Sequence, residues 1–175
     1  MPPAASTFGG RLAGVLRLDD AAYQTVARDP AATAQAVAVG VVAAFANGVG
    51  GLGASNRTAG FAGGVLQGLL WWIALTVAAS FFGGLIVRDP AARPAPAAVG
   101  RTMGFAQAPH LLLIFGAVPI VGLAASAIAT LWGLLTAFTA LRVTFRLSLS
   151  QALAAGVVAF VVAFVVSDVL TRSFG

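Results

Sequence analysis

The chain has 175 residues, 59% of them hydrophobic and 9% charged, with a mean hydropathy of +0.96. Soluble domains carry roughly 25% charged residues, so this composition argues against water as the solvent. The net charge of +5 comes from ten arginines and five aspartates, scattered singly rather than clustered with aromatic platforms, which argues against nucleic acid as a partner.

The absence of cysteine excludes disulfides, thiolate metal sites and a cysteine nucleophile. One histidine, no glutamate, no lysine and no HExxH, GxSxG or P-loop pattern leave little for catalysis, so the expectation is a protein that is not an enzyme. Abundant Ala, Gly and Arg resemble the product of a GC-rich bacterial genome. The expected location is therefore a bacterial cytoplasmic (inner) membrane, crossed several times.

From the N-terminus, Met1 to Gly10 has no basic region followed by an apolar core, which predicts no removable signal peptide. Residues 1–30 read as a cytoplasmic or interfacial segment. Within it Leu12, Val15, Leu16, Tyr23 and Val26 recur at helical intervals, with polar residues between them. This pattern fits an amphipathic helix lying in the membrane interface, and equally a helix capping the bundle on its cytoplasmic side.

Asp29-Pro30 marks a helix start, because Asp accepts a bond from free N-terminal amides and Pro sacrifices no donor there. A first span follows over about 31–53 and a second over about 60–87, each near the 20 residues needed to cross roughly 30 Å of hydrocarbon. Arg88-Asp89-Pro90-Ala91-Ala92 repeats Arg28-Asp29-Pro30-Ala31-Ala32, and the divergence that follows identifies a shared helix boundary rather than an internal repeat. A third span covers about 102–118, Pro119 breaks it, and a fourth covers about 120–141 in a tight hairpin with the third. Ser148 with Gln151 forms a capping box before a fifth span over about 150–170.

Residues 31–175 thus read as a five-helix transmembrane bundle, an all-α polytopic membrane protein. Arg11, Arg17 and Arg28 precede the first span, Arg88, Arg93 and Arg101 separate the second from the third, and Arg142 and Arg146 separate the fourth from the fifth. Since cytoplasmic loops carry the arginine excess, the N-terminus is expected inside and the C-terminus outside. The same arginines are placed to meet anionic lipid headgroups.

His110, after Pro109 in the third span, is a candidate ligand for a metal, haem or a chlorophyll-type pigment. Its structural alternative is a histidine bonded to a carbonyl freed by the proline. Asp168 near the outer end has Arg172 four positions on, which suits an interfacial ion pair. Asn47, Gln67 and Gln107 read as hydrogen-bonding groups between helices, with the first two close enough in depth to meet. Gly60, Gly64 and Gly68 let a neighbouring helix approach, either the first span at Gly40, Ala44 and Gly48 or another protein.

Gly104-Phe105-Ala106-Gln107-Ala108-Pro109 is similar to the Gly-Tyr-x-x-x-Pro element of the Yip (Ypt-interacting protein) domain family. The stretch Arg11 to Gln35, Pro119 with Gly122, and the link Arg142 to Ala152 resemble its bacterial members, so the likeness covers most of the chain. Phe105 stands where the family has Tyr, and the long N-terminal region that eukaryotic relatives present to Rab GTPases is not seen, so Rab binding is not carried over. The resemblance implies a compact five-helix bundle, N-in and C-out, that binds lipids or other integral membrane proteins as a scaffold or organiser. An accessory structural subunit of a respiratory or photosynthetic complex, with a pigment or lipid contact, is the alternative. A small transporter would need a polar path that this sequence hardly offers.

Overall fold

A computed structural model describes residues 7–174. Most of the Met1–Gly10 stretch, on which the expectation of no leader rests, lies outside the described residues. Among the described residues the regular structure is helical throughout: α1 (Phe8–Leu16), α2 (Asp20–Arg28), α3 (Ala32–Gly51), α4 (Arg57–Ile86), α5 (Pro96–Phe105), α6 (Val121–Phe145) and α7 (Leu149–Phe174). Two 3-10 segments, Pro90–Ala92 and Ala108–Ala117, complete it. Four of the helices, α3, α4, α6 and α7, are long and apolar enough to cross a membrane, which makes the chain a polytopic membrane protein by length and composition.

Close contacts give the helix directions. Gly64 of α4 sits on Asn47 and Gly48 of α3, and Gly68 on Ala44, so α4 runs back along α3. Gly104 faces Ala36 and Gly116 faces Gly50, so α5 and the longer 3-10 segment together run parallel to α3. Thr144 meets Thr102 and Gly133 meets His110, which sets α6 antiparallel to that pair. The α1–α2 hairpin, the starts of α3, α5 and α7 and the ends of α4 and α6 therefore gather at one end, called here the hairpin end.

Side-chain size is sorted from inside to outside. Ala36, Ala43, Ala79, Ala140, Ala159 and Ala163 are buried, whereas Phe45, Val77, Phe81, Leu123, Val157 and Val169 are exposed. Lipid tails are as apolar as leucine, so large side chains gain little by turning inward, and small ones allow helices to close up.

The expected third span differs from a regular helix. Pro109 has no N–H to bond the Phe105 carbonyl and its ring would crowd that carbonyl, so α5 ends at Phe105. The chain tightens instead, with the His110 N–H bonding the Gln107 carbonyl at 2.9 Å, and continues as ten residues of 3-10 helix. Such runs rarely exceed three or four residues. The fourth span starts at Val121 and extends to Phe145, beyond the expected Leu141. Between them, Ile120 takes a left-handed φ of 66°, a conformation that β-branched side chains rarely adopt.

The N-terminal segment is likewise two helices rather than one interfacial helix. Leu18 turns the chain with φ 60°, Asp19 caps α2 through Ala21 N–H at 2.9 Å, and a Cβ at Gly14 would overlap Ala22, so the two helices touch. Val15, Tyr23 and Val26 are each 0% exposed. Their apolar stripe packs on α5 and α6, which leaves it no lipid-facing role. Asp29 accepts from Ala31 N–H and Asp89 from Ala91 N–H, both at 2.9 Å, but Asp29 ends α2 and turns the chain ahead of α3, whose N-cap Ala31 has no side-chain bond, whereas Asp89 caps a single 3-10 turn.

Candidate functional site

The helix break at Pro109 frees the Ala106 carbonyl, because the His110 N–H that would have reached it in an α-helix bonds Gln107 instead. Non-aqueous surroundings demand an internal partner for that oxygen. Thr136 of α6 supplies it: its Oγ1 lies 2.8 Å from Ala106 O and 2.9 Å from Gly133 O, sharing one proton between them. His110 Nδ1 is buried and forms no hydrogen bond of ordinary geometry, and the backbone group drawn toward its ring is that of Gln107, not the freed Ala106 carbonyl. The imidazole instead lies over Gly133, where an added Cβ would collide with it.

Beside the break is a cavity of about 450 Å³ near mid-height of the four long helices. His110, Gln107 and Leu113 line one side, Gly133, Leu134 and Ala137 of α6 another, and Phe160, Phe164 and Ser167 of α7 a third. Asn47 of α3 with Gln67, Trp71 and Leu75 of α4 close it. Its described lining holds no charged side chain. The polar groups are neutral amides, hydroxyls, an indole and an imidazole. A second cavity of about 380 Å³ shares Asn47, Gln67 and Leu113 and continues past Gly60, Gly64 and Gly116 toward the far end.

Asn47 and Gln67 both line the cavity, and the Asn47 Nδ2 is committed to the Gly64 carbonyl at 2.9 Å rather than to Gln67. Gln107 Nε2 bonds Met103 O at 3.4 Å. Gly60, Gly64 and Gly68 are packed against α3 of the same chain, opposite Gly51, Gly48 and Ala44, and Gly40 lies under the Trp72 ring. This glycine ridge is internal. Asp168 receives Arg172 Nε at 3.1 Å and Nη2 at 3.0 Å, at the exposed end of α7.

The motif residues do not form one site. Gly104 is pressed on Ala36, Phe105 is buried with its ring 6.1 Å from that of Phe8, Pro109 is buried at the break, and Pro119 is exposed in the turn before α6. With Phe rather than Tyr at position 105 no polar partner is required there.

Electrostatics at the hairpin end fasten α1 and α2 to the bundle. Arg11, 3% exposed, donates to Gln35 Oε1 at 2.8 Å and pairs with Asp29. Arg101 donates through Nε to Val26 O at 3.1 Å and through Nη2 to Ala27 O, satisfying the last carbonyls of α2. Arg142 Nη2 reaches both oxygens of Asp20, at 2.5 and 2.6 Å. Arg11 and Arg101 are consequently spent inside the protein and do not reach headgroups. Arg17, Arg28, Arg88, Arg93 and Arg146 remain exposed at this end.

Tyr23 OH lies 3.1 Å from Thr136 O and 3.2 Å from Val15 O, and Trp132 Nε1 donates to Leu16 O at 3.0 Å. Burial first, and the Asp20 charge second, hold the Tyr23 phenol well above its ordinary pKa. Sequence reading passed over Thr136, Trp71, Trp132 and Ser167, whose only signal is a polar atom inside an apolar helix. Compared with known proteins, no family model, no curated protein and no solved structure matches this chain.

Proposed function

We propose that this chain is a non-catalytic, Yip-like integral membrane protein of a bacterial inner membrane, acting by binding membrane components and organising its surroundings. The observation that carries this reading is the cavity itself, a built space whose described lining is apolar with neutral polar groups and offers His110 as its one titratable side chain. Such a site holds a ligand and has no nucleophile paired with a base.

Five crossings fit the dimensions. Ten residues of α-helix in α5 at about 1.5 Å each and ten of 3-10 helix at about 2.0 Å each cover about 35 Å, enough for a core of roughly 30 Å. Eight arginines lie at the hairpin end, leaving Arg57 and Arg172 at the other, and this bias supports a cytoplasmic hairpin and an external C-terminus. Because the glycine ridge is occupied internally, lipids and partners meet the outer belt of large side chains.

Two measurements test this. Reporter fusions at Gly175 and in the Pro90–Ala92 loop should report opposite sides, external and cytoplasmic, and a cytoplasmic C-terminus would sink the topology. Gentle solubilisation with native electrophoresis and mass spectrometry should show a small, colourless species. Migration within a large coloured or redox-active assembly would make the chain an accessory subunit instead.

A further inference from the structure

The cavity beside the Pro109 break selects among the molecules dissolved in a bilayer. Trp71 Nε1 is buried without a hydrogen-bond partner, His110 Nδ1 has no well-formed one with only the Gln107 backbone drawn toward its ring, and both residues line it. An indole N–H can only donate, so the missing partner is an acceptor, and a neutral imidazole in its Nδ1–H form asks for the same. Trp72 Nε1 is also unpaired, but its ring is used in covering Gly40 and it does not line the cavity.

No charged side chain is present in the described lining to receive a phosphate or an ammonium, and the cavity sits away from the arginine-rich end. A phospholipid headgroup would be desolvated there without a partner. A plain hydrocarbon chain would fill the space but leave both donors without a well-formed partner. Aromatic walls favour a flat ring: Trp71 and Phe160 stand edge-to-face at 4.9 Å, with Phe164 next to them on α7.

The mouth is identifiable. Gln67 of α4, Thr130 and Leu134 of α6 and Phe164 of α7 line the cavity and are nonetheless exposed, so the space opens sideways beside α6, with Leu134 and Phe164 on its rim. Nearer the hairpin end α6 and α7 close up, with Gly156 within van der Waals reach of Phe138 and Leu141.

We propose that this cavity binds one lipid-soluble, uncharged ring ketone of the isoprenoid-quinone class. One carbonyl accepts from Trp71 Nε1 and a second from His110, the ring lies among Trp71, Phe160 and Phe164, and the apolar tail leaves between Leu134 and Phe164 into the bilayer. The proposal rests on the membrane-embedded binding reading above and concerns occupancy alone.

The test is native mass spectrometry of the full chain in detergent micelles titrated with decylubiquinone. A saturable adduct of one quinone per chain is expected. Trp71→Phe keeps the ring but removes the donor, and should bind about tenfold more weakly, the equivalent of one hydrogen bond. Leu134→Trp, at a position 41% exposed where a larger side chain displaces no buried neighbour, narrows the mouth and should weaken binding at least as much. Circular dichroism and gel filtration verify that each variant is folded. A decrease in either folded variant supports the site; absence of a one-to-one adduct, undiminished binding in both variants, or displacement by phosphatidylglycerol overturns it. Loss of this proposal with the fusion topology intact leaves the membrane reading standing, whereas a wrong topology with quinone bound removes only that reading.

Discussion

Thr136 of α6 and Ala106 at the end of α5 are joined by a 2.8 Å hydrogen bond that replaces the one the His110 N–H would have made in an α-helix, before the break at Pro109 turned that N–H to Gln107. The bond satisfies a carbonyl that has no water to turn to. Thr136→Val keeps the shape and removes the proton donor, and should cost about 1–3 kcal/mol, the penalty of an unsatisfied buried acceptor. Thr136→Ser should recover most of it. Denaturation in mixed micelles measures the difference, and a valine variant as stable as the parent would show that another group serves Ala106.

Tyr23 is the only tyrosine in the chain, so its titration can be read without interference. Its folded-state pKa is raised, chiefly by burial and then by Asp20. The folded protein therefore keeps the phenolic proton at a pH where the unfolded chain has lost it. This contribution is complete below the unfolded value of about 10 and declines as pH rises above it. Stability of the parent should fall above about pH 10, and Tyr23→Phe should be flat across that window while less stable at neutral pH. Parallel curves for the two proteins would refute the assignment.

Gly64 and Gly68 touch backbone atoms of α3, with an added Cβ at 2.7 Å from Asn47 O and at 2.7 Å from Ala44 Cα respectively. Gly64→Leu or Gly68→Leu should abolish the folded monomer rather than release the chain intact from a partner. Gly63, one position away, has nothing within 4 Å of such a Cβ. Gly63→Ala should be tolerated and gain up to about 1 kcal/mol of helix propensity. Gel filtration in detergent separates these outcomes, and a monodisperse folded Gly64→Leu monomer would contradict the internal ridge.

Arg101 holds the C-terminal carbonyls of α2 at Val26 and Ala27 with two separate N–H groups. A lysine ammonium cannot reproduce that planar fork. Arg101→Ala should cost about 1.5–3 kcal/mol, as expected for hydrogen bonds to a charged group, and Arg101→Lys somewhat less. The local signature is faster hydrogen exchange over residues 20–28, whereas unchanged exchange there would show that the hairpin is held by its other contacts. Arg142→Ala should have a smaller effect, since that pair with Asp20 is partly exposed and its attraction is screened.

How much of this was legible in advance depends on the range over which each interaction acts. The four long helices could be read from the chain because some 20 apolar residues in succession have few other uses. The capping box could be read because it is local: Ser148 and Gln151 bond each other's backbone N–H at 3.3 and 3.0 Å, whereas Asp29, expected to start α3, bonds Ala31 N–H in a turn ahead of it. The matching spacing of Gly60, Gly64 and Gly68 with Gly40, Ala44 and Gly48 left two partners open, and only the packed helices select α3. The stripe Val15, Tyr23 and Val26 announced an apolar face without saying what covers it, since lipid and protein present similar surfaces to a valine.

The sequence by itself determined that long apolar helices are present and where the arginines gather, because length and charge placement are properties of neighbouring residues, whereas the break at Pro109 and the end of α6 at Phe145 came only with the packed helices. The tertiary structure alone decided that Thr136 serves Ala106, that Tyr23 and Arg101 hold the N-terminal hairpin, and that His110 and Trp71 share a cavity. Those relationships join residues from 30 to 113 positions apart or lie between helices, and no periodicity encodes which faces of similar apolar helices will meet.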